Sequence, residues 1–397
     1  MNTLNTNTVV VHAWLNGAYV PAGKLRLSGQ QFEFWYGAGF LSNGYALDPI
    51  KLPLTETIYH ANGLQGDLGV FADALPDSWG RYLIKQHYGQ DVSELEILTL
   101  DCSSQRMGAL FFSTELNDTP SDKIHSDEWM AIFSEWINDN NKTLPESLML
   151  GSSAGGAKPK CLVRLDDREW IAKFQPANEI TDKAAIEHGS LSLARSCGIT
   201  AAESKLLILP NNQNVVLVKR FDRNNNNPIH YISANTICTV LKNETGAVSN
   251  DTRSYLILAD NLSKISSQAV EDKRELFKRI IFNILIGNHD DHSKNHGIIR
   301  DSNNNWKLSP AFDLVAGEGG RELSMIIGPE YTKPSFNNLL QSIKSFGLNK
   351  IQAIAEIEFM LTKIKNWKTV FQDAAVPEKT INDIKWAIKD NVDVSKL

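Results

Sequence analysis

Residues 287–296 read Gly287-Asn288-His289-Asp290-Asp291-His292-Ser293-Lys294-Asn295-His296, the densest run of polar and titratable side chains in the sequence. The apolar segment at about 271–286 precedes this polar loop and predicts a buried helix, because its large apolar side chains recur at helical spacing. Residues 297–300 and 306–308 predict a β-hairpin behind the loop, and Asp313 follows that hairpin. The predicted order is therefore a buried helix, a polar loop, a β-hairpin and an acidic residue.

This order supplies the groups that phosphoryl transfer from a nucleotide requires. Such a reaction needs a carboxylate to orient the attacking hydroxyl, and an amide oxygen and a second carboxylate to hold Mg²⁺ against the phosphates. Asp290 and Asn295 have the D-x-x-x-x-N spacing of a kinase catalytic loop. Asp313 adds the second oxygen ligand, the type that Mg²⁺ prefers. The spacing predicts Asp290 as catalytic base, with His292 orienting it, and Asn295 and Asp313 as metal ligands.

Parts of a nucleotide site lie upstream in the order that a kinase requires. Lys173 ends a predicted strand, where a kinase places the lysine that contacts the nucleotide phosphates. Glu187 lies on the next predicted helix, where a kinase places the glutamate that pairs with this lysine. Lys219 and Phe221 end a later strand, at the position of the adenine. A Gly-rich loop precedes them all, and glycines let backbone N–H groups approach phosphates. Its predicted phosphate contacts are Ser152, Ser153, Ala154, Gly155, Gly156 and Ala157.

The surrounding pattern predicts short elements that carry these residues. Asn16-Gly17 predicts a β-hairpin turn after a β-rich segment. Strands at 160–165 and 169–174 are predicted on either side of the turn Asp166-Asp167. A helix is predicted over about 182–197, with Thr181 as its N-cap. Beyond about residue 230 the pattern is mainly helical.

Several collinear segments resemble the HipA family of protein kinases. They are Leu75-Pro76-Asp77-Ser78 with Arg81, Arg106–Leu110, Gly151–Lys160, Val218–Arg223, His230–Ala234, Asn288–Asn295 and Leu308–Asp313. The resemblance covers roughly residues 10–330. It implies an α+β, HipA-like fold related to protein kinases, bilobal, with a small α/β N-terminal part and an all-helical C-terminal lobe. The domains expected from it are residues 1–145, 146–221 and 222–397.

The same resemblance implies an activity and its partners. A family member is expected to be an ATP- and Mg²⁺-dependent serine/threonine kinase and the toxin of a toxin–antitoxin pair. Its expected substrate is a cytosolic protein of translation, such as an aminoacyl-tRNA synthetase. Autophosphorylation is expected at Ser153 or Ser152, where a phosphate adds a charge of about −2 beside the ATP phosphates. A small helix-turn-helix antitoxin is the expected partner, with DNA bound only through it.

The sequence departs from the family pattern at three places. Asp291 stands where some relatives have glycine, so a different loop turn is expected. Lys219 replaces an acidic residue of some relatives. Asp313-Leu314-Val315 lacks the glycine that follows the metal-binding aspartate in ordinary kinases, which HipA-type kinases do not require.

Two other functions fit part of the sequence. His289, Asp290, Asp291, His292 and His296 offer ligands for a metal-dependent phosphohydrolase. That hypothesis needs a second ligand cluster, which the sequence lacks, and it leaves the Gly-rich loop unexplained. The histidines are better interpreted as hydrogen-bonding groups that shape the loop. A catalytically weak kinase fold serving as a binding module in a repressor complex is the other alternative.

Composition limits the class of protein. The 397 residues include 42% hydrophobic and 22% charged residues, which is typical of a globular protein with a sizeable core. The net charge of −6 does not favour direct binding to nucleic acid. The widely spaced cysteines, Cys102, Cys161, Cys197 and Cys238, predict reduced thiols. We expect a cytoplasmic protein, because no signal peptide or long apolar run is present.

Overall fold

The structure is a computed structural model that describes residues 7–88, 92–100, 105–121, 129–130, 159–175, 179–238, 253–301 and 303–393. Strands dominate its first part: β1 (Thr8–Leu15), β2 (Ala18–Ser28), β3 (Gln31–Tyr36), α1 (Ala38–Asn43), β4 (Tyr59–Ala61), α2 (Gly69–Ala72), α3 (Ser78–Tyr88), α4 (Glu94–Leu100), β5 (Leu110–Ser113), β6 (Lys160–Leu165) and β7 (Arg168–Phe174).

Helices dominate its second part. The elements are α5 (Lys183–Ser196), β8 (Ser204–Ile208), β9 (Asn214–Lys219), β10 (Arg223–Asn224), β11 (Asn227–Pro228), β12 (Tyr231–Ser233), α6 (Ala234–Cys238), α7 (Tyr255–Ile265), α8 (Ala269–Ile286), a 3₁₀ turn at Ser293–Asn295, β13 (Gly297–Arg300), β14 (Trp306–Leu308), α9 (Phe336–Leu340), a second 3₁₀ turn at Ile343–Phe346, α10 (Lys350–Ile364), α11 (Trp367–Asp373) and α12 (Glu378–Ile384).

The chain divides into two compact units. The first unit comprises Met1–Ala172, Arg220–Ile232 and Thr239–Val248, and the second comprises Lys173–Lys219, Ser233–Cys238 and Ser249–Leu397. The predicted domains 1–145, 146–221 and 222–397 stay a prediction. No helix within the described ranges has both the length and the apolar character needed to cross a bilayer.

An antiparallel five-stranded sheet organises the first unit, in the order β4-β3-β2-β1-β5. Asn16 and Gly17 join β1 to β2 with positive φ angles of 52° and 90°, which confirms the predicted hairpin turn. Val11, Phe34 and Phe111 are fully buried on this sheet. Burial of such side chains is the main driving force for folding, at about 25 cal/mol per Å² of apolar surface.

A buried ion network ties distant segments of the first unit together. The carboxylate of Asp222 accepts hydrogen bonds from Arg220 Nη2 at 2.7 Å, from Arg223 Nη1 at 2.8 Å and from the backbone N–H of Gly108 at 2.7 Å. Arg220 Nη2 also donates to the carbonyl of Arg106 at 2.6 Å. Burial alone would raise the pKa of Asp222, but the two arginines lower it to about 2. Arg220, Asp222 and Arg223, which belong to the family-like segment Val218–Arg223, therefore stabilise the fold of the first unit.

The helix predicted over about 182–197 and a β-hairpin lie near the start of the second unit. Strands β8 and β9 pair antiparallel, and α5 spans Lys183–Ser196. The predicted N-cap Thr181 is wrong by one residue: Asp182 caps α5, accepting the N–H of Ala185 at 3.0 Å. An aspartate offers a charged acceptor at the positive end of the helix dipole, which explains why it replaces the threonine as cap.

Helix α8 is the buried helix predicted before the polar loop. Its residues Phe277, Ile281 and Leu285 are fully buried. The helix ends at Gly287, whose φ of 65° is left-handed, a conformation that glycine adopts without steric cost. A β-carbon there would also lie 3.2 Å from the carbonyl oxygen of Ala387. The end of α8 thus fixes where the polar loop starts.

Candidate active site

A half-buried lysine contacts two carboxylates at the end of β7. Lys173 Nζ lies 2.6 Å from Glu187 Oε1 and 2.5 Å from Asp313 Oδ1. The Glu187 side chain on α5 is only 2% exposed and that of Lys173 is 12% exposed. Burial alone would lower the pKa of Lys173, but Asp313 and Glu187 outweigh it and raise the pKa above its ordinary value. The lysine therefore stays charged throughout the physiological pH range, as a phosphate-gripping cation must.

Asp313 is held in an unusual backbone conformation. Its φ is +57°, a left-handed value that aspartate tolerates better than most residues. Main-chain hydrogen bonds fix the chain before it, where Ala311 N–H donates to the Thr200 carbonyl at 2.8 Å. After it, Ala316 N–H donates to Ser190 Oγ at 3.1 Å. The Asp313 carboxylate, 36% exposed, keeps surface for a further ligand beside Lys173.

The polar loop presents Asp290 and Asn295 differently. Asp290 is exposed, whereas Asn295 is buried within the 3₁₀ turn at Ser293–Asn295. The Asn295 N–H donates to the His292 carbonyl at 2.9 Å. Ser293 Oγ donates to Asn235 Oδ1 at 3.1 Å, which fastens the turn to α6. The loop thus exposes the Asp290 carboxylate and fixes the main chain at Asn295, and the predicted catalytic and metal-binding roles of these residues stay predictions.

Asp291 is the buried anchor of this loop. Its Oδ2 accepts hydrogen bonds from Asn283 Nδ2 and His296 Nε2, both at 2.7 Å, and from the Tyr255 hydroxyl. Burial raises the pKa of Asp291, but His296 and then Tyr255 outweigh burial and lower it. Asp291 and His296 directly follow Asp290 and Asn295 in sequence. The hydrogen bond between their side chains therefore closes the loop between Asp290 and Asn295.

The sequence did not predict this role of Asp291, which was interpreted as a departure from the family pattern or as a ligand in the phosphohydrolase alternative. One signal was available: the polar Asn283 interrupts the apolar face of α8 just before the loop. A buried amide needs a partner, and a nearby carboxylate supplies one.

His289 connects the polar loop to the segment that follows Asp313. Its N–H donates to the Glu318 carbonyl at 2.7 Å, and its own carbonyl accepts the Ser324 N–H at 2.9 Å. Its Nδ1 is hydrogen-bonded to the Gly320 carbonyl oxygen. Gly319 has a φ of +99°, and a β-carbon on it would lie 2.9 Å from the backbone nitrogen of Asp290. A glycine is required for that close approach.

The histidines of the loop are placed as shaping groups. His289 and His296 are engaged by Gly320 and Asp291, as the interpretation of these side chains expected. His292 is half-buried, and its charge contributes to lowering the pKa of Asp291. Its predicted role in orienting Asp290 stays a prediction. Across the described residues, no three His, Cys, Asp or Glu side chains converge as a metal-binding group, so nothing there supports the phosphohydrolase hypothesis.

The residues predicted at the adenine make other contacts. Lys219 Nζ lies 2.8 Å from Glu203 Oε1 on the surface of the second unit. Phe221, in the first unit, packs against Tyr231 with ring centroids 6.0 Å apart. Their predicted role in nucleotide binding stays a prediction. The predicted phosphate loop, Ser152, Ser153, Ala154, Gly155, Gly156 and Ala157, lies outside the described residues, and so does Cys102. Cys161, Cys197 and Cys238 are buried free thiols, as predicted.

Two curated relatives, each bearing the name "Putative kinase", match part of the chain. The relative from Haemophilus influenzae is 26% identical over 183 residues, 42% of this chain and 53% of its own length. The relative from Sinorhizobium fredii is 27% identical over 158 residues, 37% of either chain. The chain thus spans about half or less of the length of these relatives.

A solved structure shares the fold along nearly the whole chain. HipA of Shewanella oneidensis MR-1, determined with HipB and its operator DNA, superposes with a TM-score of 0.68 at 18% identity. The match covers 96% of this chain and 95% of that one. The predicted α+β, HipA-like fold is confirmed.

Models of two protein domains match the sequence in consecutive segments. The HipA N-terminal domain matches residues 11–113. The HipA-like C-terminal domain matches residues 152–368, which is more than half of the chain and includes the lysine, the polar loop and Asp313. This chain therefore belongs to the HipA family.

Proposed function

We propose that this protein is an ATP- and Mg²⁺-dependent serine/threonine protein kinase and the toxin of a toxin–antitoxin pair. The observation that carries the proposal is the contact of Lys173 with both Glu187 and Asp313, residues far apart in sequence. A kinase needs a cation for the nucleotide phosphates, a carboxylate that holds this cation and a carboxylate for the metal. This group supplies all three.

Lys173 is suited to the phosphates because its position is fixed before a nucleotide arrives. Glu187 holds the ammonium from a buried position on α5. A preorganised cation stabilises transferred negative charge without reorganisation during the reaction. Lys219 and Phe221 are proposed to lie at the adenine, and the Gly-rich loop from Ser152 to Ala157 to cover the phosphates.

The donor set fits magnesium. Asp313 offers a partly exposed carboxylate and Asn295 an amide oxygen, both of the hard oxygen type that Mg²⁺ binds, and the remaining ligands come from phosphates and water. When bound there, the ion would offset the negative charge of the phosphates. Two protein ligands are what such nucleotide-dependent magnesium sites commonly use.

Asp290 is the proposed catalytic base. Its exposure leaves it accessible to a hydroxyl of a protein substrate, whose proton it would accept as the oxygen attacks the terminal phosphorus. The hydrogen bond between Asp291 and His296 would hold Asp290 and Asn295 at a fixed separation. His292 is proposed to orient the Asp290 carboxylate.

The partners follow from the family. The Shewanella relative was determined with HipB and its operator DNA, and we propose that this chain likewise binds a small helix-turn-helix antitoxin and meets DNA only through it. The proposed substrate is a cytosolic protein of translation, such as an aminoacyl-tRNA synthetase. Autophosphorylation at Ser153 or Ser152 is proposed to shut the enzyme off, because a loop phosphate repels the phosphates of ATP.

Incubation with Mg²⁺ and ATP, followed by intact-mass and phosphosite spectra, tests the proposal. We expect added phosphate on Ser153 or Ser152 in the natural chain and none in Asp290→Asn or Asp313→Asn. The matched control is Asp383→Asn, the same chemical change at an exposed position of α12, and it should behave as the natural chain does.

Each alternative predicts a different result in this experiment. A dephosphorylated chain that binds ATP without gaining phosphate would support the binding module. Release of inorganic phosphate without protein phosphorylation would support a hydrolase. Absence of ATP binding would refute the kinase proposal.

A further inference from the structure

Three polar side chains at helical spacing share one face of α5: Lys183, Glu187 and Ser190. This face meets the segment that starts at Asp313. Glu187 and Asp313 both contact Lys173. Ser190 Oγ accepts the backbone N–H of Ala316 at 3.1 Å. One face of α5 is therefore docked on the segment that supplies the second carboxylate of the lysine.

Lys183 extends this docking by an ion pair at the first turn of α5. Its Nζ donates to Oε1 of Glu318, 135 positions later in the chain, at 3.0 Å. The two side chains are 33% and 19% exposed. Burial alone would lower the pKa of Lys183, but Glu318 and then Glu179 outweigh it and raise the pKa. The ammonium is therefore charged at neutral pH, and the ion pair is present under the conditions in which a kinase works.

Glu318 also contacts the polar loop through its main chain. Its carbonyl accepts the backbone N–H of His289 at 2.7 Å. A β-carbon on the next residue, Gly319, would lie 2.9 Å from the backbone nitrogen of Asp290. Glu318 therefore bonds α5 with its side chain and bonds the loop beside the proposed base with its carbonyl. A displacement of Glu318 would be transmitted to both elements.

The ion pair can open at little cost, because Lys183 has a second carboxylate nearby. Glu179 Oε1 lies 3.7 Å from Lys183 Nζ, so loss of Glu318 would release the segment without leaving the ammonium unpaired. A partly exposed ion pair shifts an equilibrium between two arrangements by up to about fivefold. The pair is thus suited to biasing the site, and it adds little to the stability of the whole fold.

From these contacts we propose that Lys183 and Glu318 are positioning residues of the kinase centre. Their ion pair holds α5, with Glu187, against the segment of Asp313, so that Lys173 keeps both carboxylates before a nucleotide arrives. Both residues act through this group of three side chains. The inference rests on the proposed kinase function and adds to it two residues outside the predicted catalytic and nucleotide-binding set.

Hydrogen exchange of the nucleotide-free full chain, followed by mass spectrometry, tests the coupling and requires no activity. Glu318→Gln should speed exchange about fivefold in both segments, 183–187 and 314–320, because both lose the contact that joins them. Lys183→Gln should do the same. The double variant should exchange no faster than either single variant, since the first substitution already breaks the pair.

The dependence of autophosphorylation on Mg·ATP separates positioning from stability. Glu318→Gln should raise the half-saturating concentration of Mg·ATP about fivefold and leave the rate at saturation unchanged. The reason is that bound nucleotide restores the arrangement that the variant populates less. A loss of stability alone would lower the unfolding midpoint and leave the half-saturating concentration where it is.

The matched control is Glu330→Gln. Glu330 Oε2 pairs with Lys333 Nζ at 2.5 Å, only three positions along the chain, so this pair joins close neighbours in sequence. The control should behave as the natural chain does in both measurements.

Unchanged exchange in Glu318→Gln, or faster exchange in segment 314–320 alone, would overturn the inference. An unchanged half-saturating concentration in an active Glu318→Gln variant would overturn it as well. A natural chain that gains no phosphate would instead refute the proposed function, and the exchange data would still decide whether the pair couples the two segments.

Discussion

Replacement of Asp291 by alanine tests how the polar loop is held together. The substitution removes the acceptor that the Tyr255 hydroxyl, Asn283 Nδ2 and His296 Nε2 share. A buried donor left without an acceptor costs about 1–3 kcal/mol, and the substitution leaves three such donors. Because these donors lie together and their costs overlap, we expect the free energy of unfolding to fall by about 4 kcal/mol.

Asp291→Asn separates the charge from the hydrogen bonds. An amide oxygen at the position of Oδ2 can still accept the three bonds, and the amide nitrogen replaces Oδ1, which has no hydrogen-bond partner among the residues described. A hydrogen bond to a charged group is stronger than a neutral one by about 1 kcal/mol. Because three such bonds are affected, the asparagine variant should lose up to about 3 kcal/mol, less than the alanine variant.

Urea unfolding followed by far-UV circular dichroism measures both losses, with Asp383→Ala on the exposed face of α12 as the control. A constant slope against urea would assign the change to stability alone. The reasoning is refuted if Asp291→Ala costs less than about 1 kcal/mol, the range of ordinary surface substitutions. An asparagine variant as unstable as the alanine variant would show that charge, and not hydrogen bonding, dominates.

Three further predictions concern the polar loop and acid stability. Gly319→Ala should slow phosphorylation about a hundredfold, because the new β-carbon would lie 2.9 Å from the backbone nitrogen of Asp290 and would displace that residue. Gly320→Ala is the control and should leave the rate unchanged, because a β-carbon there meets open space. Burial raises the pKa of Asp222, but two arginines lower it to about 2. The ionised carboxylate therefore stabilises the folded chain above pH 4, and this stabilisation is lost as the pH falls toward 2. Acid unfolding of Asp222→Asn should show a pH dependence of the free energy of unfolding that is smaller by about 2 kcal/mol. Burial, with a neighbouring arginine, lowers the pKa of His188 to about 4. The folded chain therefore keeps its full stability above pH 6.5, where the histidine is neutral in both states, and loses stability as the pH falls toward 4. The unfolding midpoint of His188→Gln should change less than that of the natural chain over this pH interval.

Sequence patterns predicted the elements that local rules determine. The hairpin turn at Asn16-Gly17, helix α8 and the strands β6 and β7 are all present, because turn chemistry and apolar spacing act over a few residues. The one-residue error at Thr181 arose because Asp182 is an equally good cap and neighbouring positions compete. The resemblance to the HipA family supplied the overall fold, which propensities alone would not have assigned.

Contacts between residues distant in sequence were beyond such reasoning. Lys173 and Asp313 are 140 positions apart in sequence, and the kinase layout predicted Glu187, not Asp313, as the partner of the lysine. The anchor at Asp291 was missed, because its donors Tyr255 and Asn283 come from separate helices that only the folded chain brings together. The requirement for Gly319 was also invisible, since it depends on the approach of another backbone.

The contacts of Lys173 have a consequence for the order in which ligands arrive. One ammonium group contacts two carboxylates, so the formal charges of these three side chains sum to about −1. A bare polyphosphate would be repelled by it, whereas one that brings a divalent cation would supply the missing positive charge. We therefore expect the nucleotide to enter as its metal chelate, and its affinity to rise steeply with the concentration of free magnesium.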